Sequence, residues 1–72
     1  YYGATDANEV TTIGFYQNSN WSANTPQSAG ILIMPYYRNG YWLFQIFCDN
    51  SSIHMWFRSG SSTGYSPWKQ IV

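Results

Sequence analysis

Asn39-Gly40 stands between two apolar runs, residues 30–37 (GILIMPYY) and residues 41–48 (YWLFQIFC). Both residues of such a pair tolerate positive φ, which a two-residue hairpin turn requires. The flanking runs are rich in β-branched and aromatic residues, so each reads as a strand. This feature commits the middle of the chain to an antiparallel hairpin. It also sets a register, with Arg38 opposite Tyr41 and Tyr37 opposite Trp42.

The rest of the 72-residue chain extends the same sheet. Residues 9–17 (EVTTIGFYQ) read as a strand, with Gly14 a point of bulging or close approach. Residues 18–29 form a long polar loop containing Pro26, and a loop of that length is often functional. Pro35 lacks an N–H, which places it at an edge or a break of its strand. Residues 49–52 (DNSS) form a turn and residues 53–58 (IHMWFR) a fourth strand. Residues 59–64 (SGSSTG) form a flexible loop, and a short strand follows Pro67. No segment carries both helical spacing and capping residues. The expectation is one all-β domain spanning residues 1–72, a small antiparallel sheet of four to six strands.

Side chains alternate faces along a strand. With an even turn at 49–52, Cys48 opposes Ile53 and Phe47 opposes His54. One face then carries Ile31, Ile33, Pro35 and Tyr37, with Trp42, Phe44, Ile46 and Cys48, and then Ile53, Met55 and Phe57. It is apolar or amphipathic throughout and is the expected core face. The other carries Leu32, Met34, Tyr36 and Arg38, with Tyr41, Leu43, Gln45 and Phe47, and then His54, Trp56 and Arg58. It is mixed, yet too apolar to be left in water. Strands apolar on both faces are usually covered on both, so self-association is expected to bury the mixed face.

Composition narrows the function classes. Charged residues make up only 8% of the chain, three basic against three acidic, where a typical domain has about 25%. With aromatics at 21%, the chain is not a disordered polymer. Three basic residues give no electrostatic footprint for nucleic acid or for an anionic membrane. No apolar run is long enough for a helix to span a bilayer. Polarity comes from neutral groups: nine Ser, six Asn, five Thr and four Gln. Near-zero net charge favours association, and neutral hydrogen-bonding groups beside aromatic rings suit a sugar-binding surface. The single cysteine, Cys48, excludes an internal disulfide framework. The sequons at Asn20 and Asn50 are chance matches in a chain so rich in Asn and Ser.

Catalytic constellations are sparse. Asp6, Glu9 and Asp49 are the only acids, and nothing in their spacing pairs two of them for glycoside hydrolysis. Cys48 and His54 fall on opposite faces if the 49–52 turn is even. One Cys and one His are too few for a metal site in a single chain, although a three-fold axis would gather three copies of His54. No catalytic residue, metal or cofactor is expected. Trp21, Tyr36, Tyr37 and Tyr65 are candidates for stacking on sugar rings, weighed against the commoner role of aromatics in cores and interfaces. Arg38 and Asn39 at the hairpin tip are candidates because exposed loops carry recognition. Trp56 is weighed on both sides and assigned a structural role. Gln45 needs a partner if buried. Arg58 is expected to give it one, or to form a cation–π contact with Trp56.

The order of Thr12, Gly14-Phe15-Tyr16, Asn24-Thr25-Pro26, Gly30-Ile31-Leu32-Ile33, Gln45, Arg58 and Tyr65-Ser66-Pro67-Trp68-Lys69 resembles the pyocin-knob family. The resemblance runs from about residue 9 to residue 72. Such modules occur in tail fibres of contractile bacteriocins and bacteriophages. The resemblance implies a knob-like domain of a longer tail-fibre or receptor-binding protein, homotrimeric in the parent fibre. The start at Tyr1, without Met or a signal-like segment, fits a fragment of such a protein. Adhesion to bacterial surface glycans is the implied activity. The implied location is a virion tail fibre or phage-like particle, extracellular after release from its host. An unpaired Cys fits assembly in a bacterial cytoplasm. Gln45, Arg58, Pro67 and Trp68 transfer as fold-defining positions. Tyr36, Tyr37 and Trp42 lie outside the shared pattern, which makes the hairpin a candidate recognition surface. Two alternatives stand beside adhesion: a structural trimerisation or spacer domain, and a small enzyme or appendage with two carboxyls in one cleft.

Overall fold

The computed structural model describes residues 5–38, 42–49 and 54–72. Six strands form one antiparallel sheet: β1 (Gly14–Asn18), β2 (Gly30–Arg38), β3 (Trp42–Asp49), β4 (Met55–Ser61), β5 (Gly64–Tyr65) and β6 (Lys69–Gln70). Their order is β1-β2-β3-β4-β5, and β6 also pairs with β4. The β4 edge is therefore shared, with β5 on Gly60 and Ser61 and β6 on Trp56 and Phe57. The all-β, antiparallel expectation holds.

The expected first strand is shorter than its sequence suggested. Ala7–Glu9 forms a single 3-10 turn, capped by Asp6, whose carboxylate accepts the Asn8 N–H at 2.9 Å. A side-chain oxygen at that position satisfies a donor that the turn leaves open. The fourth strand is longer than expected, because β4 continues through Ser59-Gly60-Ser61 into a tight turn to β5.

The β2–β3 register is correct in one half and displaced in the other. Ile31 opposes Cys48, Leu32 opposes Phe47 and Ile33 opposes Ile46, as the sequence reading requires. Beyond a bulge between Ile33 and Tyr36, Tyr36 opposes Phe44, Tyr37 opposes Leu43 and Arg38 opposes Trp42. The expected Arg38–Tyr41 and Tyr37–Trp42 pairings are thus corrected by one residue, and the expected two-residue turn lies outside the described residues. Pro35 lies inside the bulge. β1 reaches only as far as the Gly14–Met34 pair, so no neighbour there requires a Pro35 N–H. The β3–β4 register differs by two residues from expectation, with Cys48 opposite Met55 and Phe47 opposite Trp56. An even slip leaves every side chain on its expected face.

The assignment of the core face is reversed. The buried cluster comprises Ala7, Val10, Tyr16, Trp21, Leu32, Met34, Leu43 and Phe47, with Tyr37, Trp56 and Trp68 packed against it. This is the mixed face of the sheet, and it is covered within the chain rather than by a second subunit. The 3-10 turn, the loop carrying Trp21 and the segment carrying Trp68 form the cover. Phe47 is the hub, with its ring 6.3 Å from Trp21, 6.2 Å from Trp56 and 6.3 Å from Trp68. Gly30 makes this packing possible. A Cβ at that position would sit 2.6 Å from the Phe47 ring and collide with the Cys48 carbonyl.

Candidate functional site: an open aromatic face and the polar core behind it

The polar residues of the inner face are satisfied by the covering segments. Gln45 is fully buried and Arg58 is 4% exposed. The Gln45 amide donates to the Ala7 carbonyl at 2.8 Å, and its oxygen accepts from Arg58 Nε at 2.7 Å. Arg58 Nη2 donates to Asn8 Oδ1 at 2.6 Å. The guanidinium also lies 4.1 Å from the centre of the Tyr65 ring and 4.8 Å from that of Trp68. Cation–π attraction is strongest where the cation is desolvated. The expected Gln45–Arg58 bond therefore forms, while the cation–π partners are Tyr65 and Trp68 rather than Trp56. Burial draws the Arg58 guanidinium down to about 10, against the raising influence of Tyr65 and Asp6. It remains protonated at neutral pH.

This arrangement explains why polarity alone misassigned the core. A buried polar group is costly only when unpaired, and Ala7, Asn8, Tyr65 and Trp68 supply the partners from both ends of the chain. Trp68 is anchored further by its indole N–H, which donates to the Asn24 carbonyl at 2.9 Å. Asn24 adopts φ 62°, a conformation that Asn tolerates better than most residues. Its side chain donates to Asp6 at 2.8 Å. Pro67 is exposed and leads directly into Trp68.

The outer face is the one expected to be the core, except that the bulge turns Tyr36 and Arg38 onto it and Tyr37 inward. Across its middle runs a row of directly opposed residues, Phe15, Ile33, Ile46 and Phe57. Towards the hairpin end follow the opposed pairs Tyr36–Phe44 and Arg38–Trp42. Phe15, Tyr36, Trp42, Phe44 and Phe57 are between 38% and 65% exposed. A soluble monomer rarely leaves so many large apolar side chains together in water. At the hairpin end they shape a shallow depression of about 250 Å³, walled by Tyr36, Trp42 and Phe44 and flanked by Ser59, Gly60 and Ser61. The Tyr36 and Phe44 rings are tilted at 48° with centres 6.0 Å apart. The Ser61 hydroxyl is oriented by Thr63 Oγ1 at 2.9 Å. Amphipathic rings beside hydroxyls match the two kinds of surface a pyranose presents, its C–H face and its hydroxyl edge.

The candidate binding residues separate clearly. Tyr36 and Arg38 share the depression's side of the sheet with Trp42 and Phe44. Tyr37 lies on the inner side, opposite Leu43. Trp21 is 5% exposed, and its indole N–H donates to the Gly30 carbonyl at 3.0 Å. It is a core residue and offers no stacking face, which corrects the expectation placed on it. Tyr65 is committed to Arg58, and its hydroxyl donates to the Asn8 carbonyl at 3.3 Å. Asn39 lies outside the described residues. Phe44 had been counted only as a core residue, so its part in the depression was missed. The signal was present in the alternation Trp42, Phe44, Ile46, which marks one face, but not which face would be open.

Asp6 and Glu9 both line a second depression of about 300 Å³ with Thr5 and Tyr16. The Asp6 carboxylate there accepts from Asn8 and Asn24, and Asp49 sits at the far end of β3. Among the described residues no three potential metal ligands cluster, and no helix is long and apolar enough to cross a membrane. No family model, no curated protein and no solved structure matches the chain.

Proposed function

We propose that this chain is a non-enzymatic module of a bacteriophage or phage-like tail fibre that attaches to bacterial surface glycans. The carrying observation is the aromatic depression of Tyr36, Trp42 and Phe44, open to solvent and flanked by Ser59 and Ser61. The pyocin-knob resemblance supports the same reading. Many of the residues that carry it hold the fold: Tyr16 donates to the Thr12 carbonyl, Trp68 to Asn24 and Arg58 to Gln45. Weak sites repeated around a homotrimeric fibre attach tightly through effective concentration. The outer row Phe15–Ile33–Ile46–Phe57 is the surface proposed for packing between subunits.

Binding of the purified chain to bacterial envelope polysaccharides tests this. Tyr36→Ala with Trp42→Ala should abolish binding while the far-ultraviolet circular dichroism is unchanged. Binding that survives the loss of Tyr36, Arg38, Trp42 and Phe44 would sink the reading.

A purely structural trimerisation or spacer role is the second reading. It is favoured by the continuity of the aromatic depression with the apolar row. On that reading the whole outer face lies between subunits, and no polysaccharide binds.

A further inference from the structure

The adhesion reading leaves open which sugars the depression takes. Its charge distribution is informative on this point. Arg38 opposes Trp42 at the end of the hairpin ladder, and directly opposed side chains on one face lie about 5 Å apart at Cβ. Arg38 is exposed, and among the described residues no ion pair engages it. The acids lie elsewhere: Asp6 caps the 3-10 turn, Glu9 ends it, and Asp49 closes the opposite end of β3. Of the other two basic residues, Arg58 is sealed in the core and Lys69 lies on β6, opposite Phe57. The hairpin end therefore combines a stacking surface with a cation that none of the described residues neutralises.

We infer that the Tyr36–Trp42–Phe44 depression takes a carboxylate-bearing sugar, with Arg38 pairing the carboxylate. This rests on the adhesion reading and narrows its ligand class. A guanidinium offers two parallel N–H donors to a carboxylate, a geometry that a neutral hydroxyl cannot reproduce. The pyranose ring stacks on Trp42, and its hydroxyls reach towards Ser59 and Ser61. A neutral sugar would retain the stacking but leave Arg38 unused.

The test is titration of the 15N-labelled chain with three acidic oligosaccharides, oligogalacturonate, oligomannuronate and oligosialate, each compared with its carboxyl-reduced counterpart. At least one acid form should bind roughly tenfold more tightly than its reduced form, with shifts centred on the hairpin end. That preference should fall with added salt and disappear in Arg38→Gln, which lies on the surface and leaves folding intact. Trp42→Ala should remove binding of both forms. Equal binding of acid and reduced forms, or a preference that survives Arg38→Gln, overturns the carboxylate assignment and leaves glycan adhesion standing. If no oligosaccharide of either form binds, the carboxylate assignment is overturned. If whole envelope polysaccharide also fails to bind, the adhesion reading falls with it.

Discussion

Arg58 and Gln45 stand directly opposite one another on β4 and β3 and are joined by a 2.7 Å hydrogen bond inside the core. The pair fastens three separate parts of the chain. Gln45 holds the 3-10 turn through Ala7, and Arg58 holds it through Asn8 while supporting Tyr65 and Trp68 from beneath.

Arg58→Leu should destabilise the domain by about 2–4 kcal/mol, because it leaves Gln45 Oε1 and Asn8 Oδ1 short of a donor. Gln45→Leu should also destabilise it, by stranding Arg58 Nε. Urea denaturation of the single and double variants should give a coupling of at least about 1 kcal/mol. Additive losses would mean that the two residues do not act as one unit.

Gly30→Ala tests the packing of Phe47 against the β2 backbone. The added methyl meets the Phe47 ring and the Cys48 carbonyl, and the carbonyl cannot rotate away without breaking the ladder. A loss of about 1–3 kcal/mol is expected, read as a lower thermal midpoint. A midpoint equal to that of the parent would show that Phe47 can move.

The outer face predicts association in solution. Sedimentation over a concentration series should show a trimer, and Phe15→Ser with Phe57→Ser should shift it to monomer. Phe15 is 65% and Phe57 38% exposed in the single chain, so the fold should survive while each site loses on the order of 1 kcal/mol of cross-strand packing. A parent chain that stays monomeric throughout would show that this face tolerates water.

Alkaline pH separates two opposed contributions. Burial raises the Tyr65 phenol above its usual value, against the lowering effect of Arg58. The unfolded chain then releases this proton first, and stability falls as pH rises through 10. Arg58 has the opposite sign, since its folded-state value is lowered to about 10. Above that pH the unfolded chain retains the proton longer, which adds stability. Tyr65→Phe keeps the ring under Arg58 and removes the falling contribution. Its stability at pH 11 relative to pH 8 should therefore exceed that of the parent, as read by urea unfolding. An identical ratio in the two proteins would rule out a perturbed Tyr65.

Much of the sheet was legible in the sequence, for reasons that particular residues make plain. Runs of β-branched and aromatic residues marked the strands, and the period of two grouped Ile31 and Ile33 with Ile46 and Cys48 correctly. Which group would be buried was not legible. Leu32, Met34, Leu43 and Phe47 share their face with Gln45 and Arg58, and only the distant Ala7 and Asn8 make those polar groups acceptable inside. The exposed hairpin end was partly legible: Tyr36 and Arg38 were singled out. Trp21 was misjudged because its loop is polar while its own ring turns inward to Phe47. Local pattern reports periodicity well, but it cannot report what a segment thirty residues away will cover.

The extra residue at Met34-Pro35 acts as a phase shift between two halves of one strand. Ahead of it, Ile33 faces outward with Ile46; behind it, Tyr36 faces outward with Phe44. Straightening the strand there without changing its length would bring the whole strand into a single phase. Tyr37 would then join Trp42 in the display, while Tyr36 and Arg38 would turn towards the interior. The side chains shown at the tip are thus set by one kink at Met34-Pro35, and a lineage built on this scaffold could exchange them there with the Gln45–Arg58 centre untouched. Changes at the kink, more than changes at the tip itself, would then decide what this end of the sheet presents.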